Sequence, residues 1–407
     1  MKTTTFLTAF LVLLGLYQAN ASPEDEQKLA AANNVFAFKL LKQIADDQPA
    51  ANVFISPYSA SIVLQMVANG AAGQTKTEMQ KVLGTGASAT GLSESALDQA
   101  NQDIRQSLHD GNTNVILEIA NAIWYRRGSP VKPEFIARNQ QFFDCTLGTF
   151  NLSDPHPEDP INAWASEKTH GRITHIADGM FDGDTPRLFL ANAVYFKGKW
   201  SDPFDPGDTH DRPFYLHDDS QKVIPMMSKS GTFTYRRGTG YQAVRLPYEG
   251  ENLAMYVFLP DTNSSPEKLL SIMNGDTWRR ITKPGFADED GDLVLPKFKL
   301  EYSVELAQPL QELGMKTAFD SGRADFSGIG DGIGISGARQ KTFVEVKEEG
   351  TEAAAVTGIM MSDSAMPMPP PQRFEMTVDR PFLFLIEDNQ TGTILFMGLI
   401  YDPPADQ

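Results

Sequence analysis

The chain has 407 residues, 41% of them hydrophobic and 21% charged, and its 52 Asp and Glu outnumber 35 Lys and Arg for a formal net charge of −17. That is globular composition with enough apolar residues for a large core, and the acidic surplus opposes binding to nucleic acid, heparin-like polyanions and anionic membrane surfaces. The single cysteine, Cys145, excludes an internal disulfide and a cysteine-rich zinc site.

At the amino terminus a short basic start, Met1-Lys2, precedes the apolar run Phe6 to Tyr17 and the small-residue pattern Ala19-Asn20-Ala21. This is the layout of a secretory signal peptide covering residues 1–21. So short an apolar run falls well below what is needed to span about 30 Å of hydrocarbon at about 1.5 Å per residue, which disfavours an anchoring helix. The expected product is a secreted, extracellular domain over residues 22–407. Sequons at Asn151, Asn263 and Asn389 suit that route and are candidate glycosylation sites. In an oxidising compartment Cys145 is either buried as a small apolar side chain or pairs two copies of an otherwise monomeric chain.

Past the signal, Glu24 to Ala45 and Ser59 to Leu83 carry apolar residues at helical spacing, the second after the turn Ser56-Pro57. Ile116 to Tyr125 reads as a strand. Lys132 to Phe143 and Pro160 to Ile173 read as helices, the latter opened by its proline and closed near Gly171. From Leu188 strands dominate: LFLANAVYFKGKW, TFTYR, YQAVRLPY, NLAMYVFLP, DLVLPKFKLEYSVEL, KTFVEVKEE, PFLFLIED and TGTILFMGLI. Short helices at Pro266 to Met273 and Leu306 to Leu313 interrupt them. No repeat and no Ser/Gly-rich linker divides the chain, so one α+β domain is predicted.

Two stretches lack periodicity. Ser327 to Gly337 is glycine-rich, and Gly332-Ile333-Gly334-Ile335-Ser336-Gly337 matches GxGxxG literally. The strand KTFVEV follows where a phosphate-binding helix would be needed, so this is a loop match and no nucleotide cofactor is expected. Nor is a metal: His170 and His175 are five apart and do not share a helical face. The second stretch, Gly350 to Arg373, has Glu352, Asp363 and Arg373 as its only charges. A loop that long within one domain is usually functional. Its even-offset set Thr351, Ala353, Ala355, Thr357, Ile359 and Met361 is uncharged, and small as far as Thr357. Such a period-two pattern can add to a sheet with one face buried, although an alanine-rich run also suits a helix.

Seven segments, in order along the mature chain, carry a resemblance. They are Asn52-Val53-Phe54-Ile55-Ser56-Pro57 with Ser59, the run from Asn192 to Trp200 (NAVYFKGKW), Leu246-Pro247-Tyr248, Leu295-Pro296-Lys297-Phe298, Ala324 to Ile329 (ADFSGI), Glu348 to Ala355 (EEGTEAAA), and Asp379-Arg380-Pro381-Phe382. The chain is similar to the serpins, the serine protease inhibitors. The resemblance implies a fold of three β-sheets and about nine helices with an exposed reactive-centre loop, here about residues 350–373. It also implies a suicide mechanism: a protease cleaves the loop, becomes acylated, and is trapped as the loop inserts into the main sheet. The partner is then a serine protease held as a covalent acyl complex, and the chain is an inhibitor, not an enzyme.

Carried onto this sequence, the insertion hinge is Glu348, Glu349, Gly350, Thr351, Glu352, Ala353, Ala354 and Ala355. The family's spacing puts the reactive bond at Ser364–Ala365, with Met361 or Asp363 as shifted alternatives. Ser56, Ser59 and Asn192 match the polar cluster at which the main sheet opens. This sequence departs from the family in having Gln340 where a histidine is common, so a hydrogen-bonded latch there would not titrate. No Lys or Arg lies between Gly350 and Gln372, which disfavours trypsin-like targets and suits elastase-, subtilisin- or chymotrypsin-like ones. Heparin is not an expected partner, because Leu92 to Asp110 holds Arg105 as its only Lys or Arg. The rival reading is a non-inhibitory serpin serving as carrier, storage protein or chaperone; the small hinge residues favour inhibition.

Overall fold

Ser22 opens the first helix: its side chain accepts from the Asp25 N–H, and Pro23 with three carboxylates fills the first turn, where proline and negative charge suit a helix start. The computed structural model describes residues 21–110, 115–181, 187–282, 285–350 and 373–404. The candidate signal peptide up to residue 20, the hinge residues Thr351 to Ala355 and the reactive bond Ser364–Ala365 lie outside the described residues.

In chain order the first half contains α1 (Pro23–Asp47), β1 (Val53–Ile55), α2 (Pro57–Ala68), α3 (Gly73–Leu83), α4 (Ala87–Thr90), α5 (Glu94–Asp110), β2 (Val115–Arg126), α6 (Pro133–Phe143), β3 (Thr146–Phe150), α7 (Asp159–Lys168) and β4 (Leu188–Gly198). Strands then prevail: β5 (His210–Tyr215), β6 (Gln221–Gly238), β7 (Tyr241–Pro247) and β8 (Leu253–Pro260), followed by α8 (Pro266–Ile272) and α9 (Gly275–Thr282). β9 (Ala287–Pro296), β10 (Phe298–Glu305), α10 (Ala307–Glu312), β11 (Ile335–Val346), β12 (Phe374–Thr377), β13 (Phe382–Asp388) and β14 (Ile394–Ile400) complete the order.

The helix predicted over Ser59 to Leu83 is in fact two. Glycine is required at Gly70 in the break, because a Cβ there would lie 2.2 Å from Ile329 Cγ1 and 3.1 Å from the Phe135 ring. Gly73 then restarts the chain at φ +54, a left-handed angle that favours glycine. The residues of α2 are buried all round, the mark of a helix inside the core. β5 and the acidic first half of β9 carry no apolar alternation, and neither was expected. Their partner is β6, against which Thr232 and Thr234 hydroxyls donate to the Asp290 and Asp288 carboxylates at 2.7 and 3.0 Å.

The strands form a five-stranded sheet in the order β10-β11-β4-β2-β3 and a nine-stranded sheet in the order β1-β14-β13-β8-β7-β6-β9-β12, with β5 beside β6. β6 is shared, Met226 to Tyr235 pairing with β9 and Thr234 to Gly238 with β7. Where three β-sheets were expected, pairing through β6 joins the strands outside the five-stranded sheet into one sheet of nine. One large apolar cluster, including Phe54, Ile123, Val194, Phe384 and Phe396, packs α1 and α2 between strands of both sheets. A smaller cluster around Trp124, Phe150, Trp164 and Phe189 covers the opposite face of the five-stranded sheet under α7. Alternation along β2 and β4 separates the two.

Candidate functional site

The middle of the five-stranded sheet carries one polar row. Asn121 of β2 faces Asn192 of β4, and Asn192 faces Gln340 of β11. The Asn192 amide donates to Ser59 Oγ and to Asn121 Oδ1. Gln340 Nε2 donates to the Ser56 carbonyl at 2.9 Å and to Asn192 Oδ1, while its Oε1 accepts the Ser56 N–H at 2.8 Å. Ser56 Oγ donates to the Leu395 carbonyl at 2.8 Å, and Ser59 Oγ to Asn121 Oδ1 at 3.2 Å. Two residues along β11, Thr342 donates to the Phe54 carbonyl at 2.6 Å. All of these side chains are buried. A connected polar network of this kind specifies one arrangement, since each lost partner strands another inside the core. The structure thus brings Ser56, Ser59 and Asn192 together and adds Gln340. Asn121 was missed; as the one polar side chain between the apolar residues Ile119 and Ile123, it was the available signal.

At the far end of β11 the chain is fastened to the segment that follows β4. Gly350 has φ +124, and a Cβ there would lie 2.3 Å from the Gly198 carbonyl oxygen and 2.5 Å from Lys199 Cα, so only glycine fits. The Trp200 N–H donates to the Glu349 carbonyl at 3.1 Å and the Phe204 N–H to the Glu348 carbonyl at 2.8 Å. Trp200 Nε1 donates to the Lys347 carbonyl at 3.0 Å, with its ring stacked on Tyr248 at 4.6 Å. The Glu348 carboxylate accepts from Thr209 Oγ1 at 2.8 Å and pairs with Lys297 Nζ at 3.2 Å. Burial alone would raise this carboxyl; a backbone N–H, the Thr209 hydroxyl and the Lys297 ammonium outweigh it and hold the group below its ordinary value.

The other candidate residues lie apart. Asn263 is exposed, in a turn before α8. Asn151 donates to Asp154 at 3.0 Å, and the Asn389 side chain is engaged with the Glu251 carbonyl. Cys145 is partly buried, and burial pushes its thiol up to about 12, which keeps it protonated at neutral pH and works against disulfide pairing. The GxGxxG stretch runs directly into β11, so no helix amino terminus stands behind it. In α5, Arg105 pairs with Asp144 at 3.4 Å.

The pairing of strands decides what the arrangement can do. β4 and β11 run parallel, whereas each is antiparallel to its other neighbour, β2 and β10. One strand placed between them would be antiparallel to both. Chain leaving β11 through Gly350 and turning back has that direction, as in a hairpin. Such a strand would have to part Gln340 from Asn192.

This fold is shared with a family of protease inhibitors, as the comparison with known proteins shows. The chain is a member of the serpin (serine protease inhibitor) family, whose model matches residues 31–403. It is 37% identical to Serpin B6 of Pongo abelii over 92% of this chain and 99% of that protein. It is 36% identical to leukocyte elastase inhibitor of Bos taurus over 93% of this chain and all of that one. Among solved structures it resembles human thyroxine-binding globulin in complex with thyroxine, with a TM-score of 0.84 at 25% identity, covering 94% of this chain and 100% of that one. Membership of the family supports protease inhibition in general, in place of catalysis.

Proposed function

We propose that this chain is a secreted suicide inhibitor of serine proteases, acting as a monomeric single domain over residues 22–407. The target's serine attacks the Ser364 carbonyl, the bond to Ala365 breaks, and the new amino terminus leaves while Ser364 stays on the protease as an ester. The chain from Gly350 then enters between β4 and β11. About fifteen residues at roughly 3.3 Å each carry the protease some 50 Å before water can free it. The observation that carries this reading is the parallel β4–β11 pair beside the start of a long, nearly uncharged segment. Thr351, Ala353 and Ala355 are small enough to pass under closing neighbours. Ser56, Ser59, Asn192 and Gln340 form the latch the entering strand must part, and Glu348, Glu349 and Gly350 anchor the hinge.

A small or apolar residue on the acyl side fits elastase-, subtilisin- or chymotrypsin-like pockets. The test is incubation with trypsin, elastase, chymotrypsin and subtilisin, followed by denaturing electrophoresis and mass spectrometry of the released carboxy-terminal peptide. A covalent complex with at least one of the last three, and a peptide beginning at Ala365, is the expected result. Degradation by all four without a complex would instead favour the carrier reading, which the likeness to thyroxine-binding globulin supports.

A further inference from the structure

Four cations crowd the pole of the molecule where β2 ends and β4 and β11 begin. Arg126 ends β2 and Arg127 follows it, Arg187 precedes β4, and Lys132 precedes α6; all four are exposed. Backbone bonds hold these segments together: the Arg126 N–H donates to the Arg187 carbonyl at 3.1 Å, and the Lys132 N–H to the Ile329 carbonyl at 2.8 Å, in the glycine-rich stretch that leads into β11. The Arg187 guanidinium donates to the Gly332 carbonyl of that same stretch. None of the four meets a carboxylate at ion-pair distance among the described residues. Glu134, two residues after Lys132, and Asp331, beside Gly332, are the described acids on these segments; Asp182 and Asp184, before Arg187, lie outside the described residues. Cations thus prevail here, in a chain where 52 acids outnumber 35 bases.

The route of the bait ends at this pole. Lys347 and Gly350 already pair as in an antiparallel hairpin, the Lys347 N–H donating to the Gly350 carbonyl at 2.8 Å and the Gly350 N–H to the Lys347 carbonyl at 3.1 Å. Continued residue by residue beside β11, that pairing would set Ser362 opposite Ile335, where β11 begins, and Ser364 two residues past the end of the sheet. Leu188 of β4 is level with both Ile335 and Tyr125, so Ser364 would arrive beside Arg187 and Arg126. Two residues make a tether of about 7 Å at roughly 3.3 Å each, shorter than the screening length of about 8 Å at physiological salt.

We propose that Arg126, Arg127, Lys132 and Arg187 form a docking surface for the acylated protease in its final position, one that fits an acidic protease face and prolongs the life of the trapped ester. The proposal rests on the inhibitory reading above and adds a selectivity that the bait sequence does not contain. The trapped enzyme escapes when water attacks the Ser364 ester carbonyl, which returns the hydroxyl to the protease serine and leaves a carboxylate on Ser364. A protease face seated on the pole shields that ester, whereas an unseated one admits water. Attraction between the four cations and an acidic face therefore slows escape by raising the seated population. Each exposed charge pair contributes little, but a short tether brings several to bear together. Encounter and cleavage take place at the opposite pole, beside Gly350, and are left unchanged.

The experiment uses elastase, either native or with its surface lysines succinylated to carboxylates; chymotrypsin or subtilisin takes its place if elastase forms no complex. Each form is trapped by the wild-type chain and by the double variant Arg126→Glu/Arg127→Glu, both checked for native circular dichroism. The covalent complexes are freed of excess protease, and regained proteolytic activity is followed at low and high salt. With the wild-type chain, the succinylated enzyme should be released about three- to tenfold more slowly than the native one, and added salt should shrink the difference. In the double variant the order should vanish or reverse, with the bait cleaved as fast as before. Equal release from wild type and variant, or a difference that salt leaves intact, would overturn the docking surface. Should the double variant not fold, Lys132→Glu is measured in its place under the same criteria. A lasting covalent band with unchanged release overturns the surface alone, whereas no band from the wild-type chain with any of the three proteases overturns the inhibitory reading and the surface with it.

Discussion

Gln340 shows how much one side chain can carry. Its amide satisfies both backbone polar groups of Ser56 and the side-chain oxygen of Asn192, across the parallel β4–β11 junction. In Gln340→Ala the Ser56 N–H and Asn192 lose buried partners, at about 1–3 kcal/mol each for a group left unsatisfied. The variant should melt several degrees lower with the same secondary structure, as read by circular dichroism; an unchanged melting temperature would count against the latch. Glu348 predicts a pH dependence. Its folded value lies below the 4.5 of the free group, so its ties to Thr209 and Lys297 contribute stability above about pH 4.5 that is lost as pH falls through the folded value. Melting curves of wild type and Glu348→Gln should therefore differ at neutral pH and converge in acid. Ser56, Ser59 and Asn192 were legible as motif residues. Asn121 and Thr342 were not, because a lone Asn or Thr in an apolar strand acquires its role from the strand opposite.

Strand order is the property of the elements that matters most. β4 was legible from end to end, since a strand buried on both faces reads as a nearly continuous apolar run, broken here by Asn192 and Lys197. β9 was legible only in its apolar half, and β5 not at all, because their exposed faces carry acidic and polar residues whose pairing with β6 is decided by neighbours. The break between α2 and α3 was not legible either, because the need for glycine at Gly70 comes from Ile329 and Phe135, whose side chains leave no room for a Cβ there. That β4 and β11 are parallel could not be read from either run, yet it is what leaves room for a strand antiparallel to both. Thr351→Arg tests insertion at this scale. A long charged side chain at the start of the entering strand should turn the inhibitor into a substrate, seen on a denaturing gel as cleaved chain without a covalent band; a retained band would exclude insertion at that register.

At the scale of the whole molecule the acidic surplus governs association. α5 offers Arg105 as its only Lys or Arg, and that group is already paired with Asp144. Heparin should leave the rate of protease inhibition unchanged at any ionic strength; an acceleration that fades with added salt would show a basic surface that the charge balance does not reveal. Composition, seven ordered motifs and a long, nearly uncharged segment were enough to establish an α+β serpin, since family motifs and apolar periodicity are local properties of the chain. Two things depended on tertiary structure: the parallel pairing of β4 with β11 in the middle of the five-stranded sheet, and the side chains that join across it. Each is a relation between residues far apart in sequence, and such relations exist only once the core has packed them together.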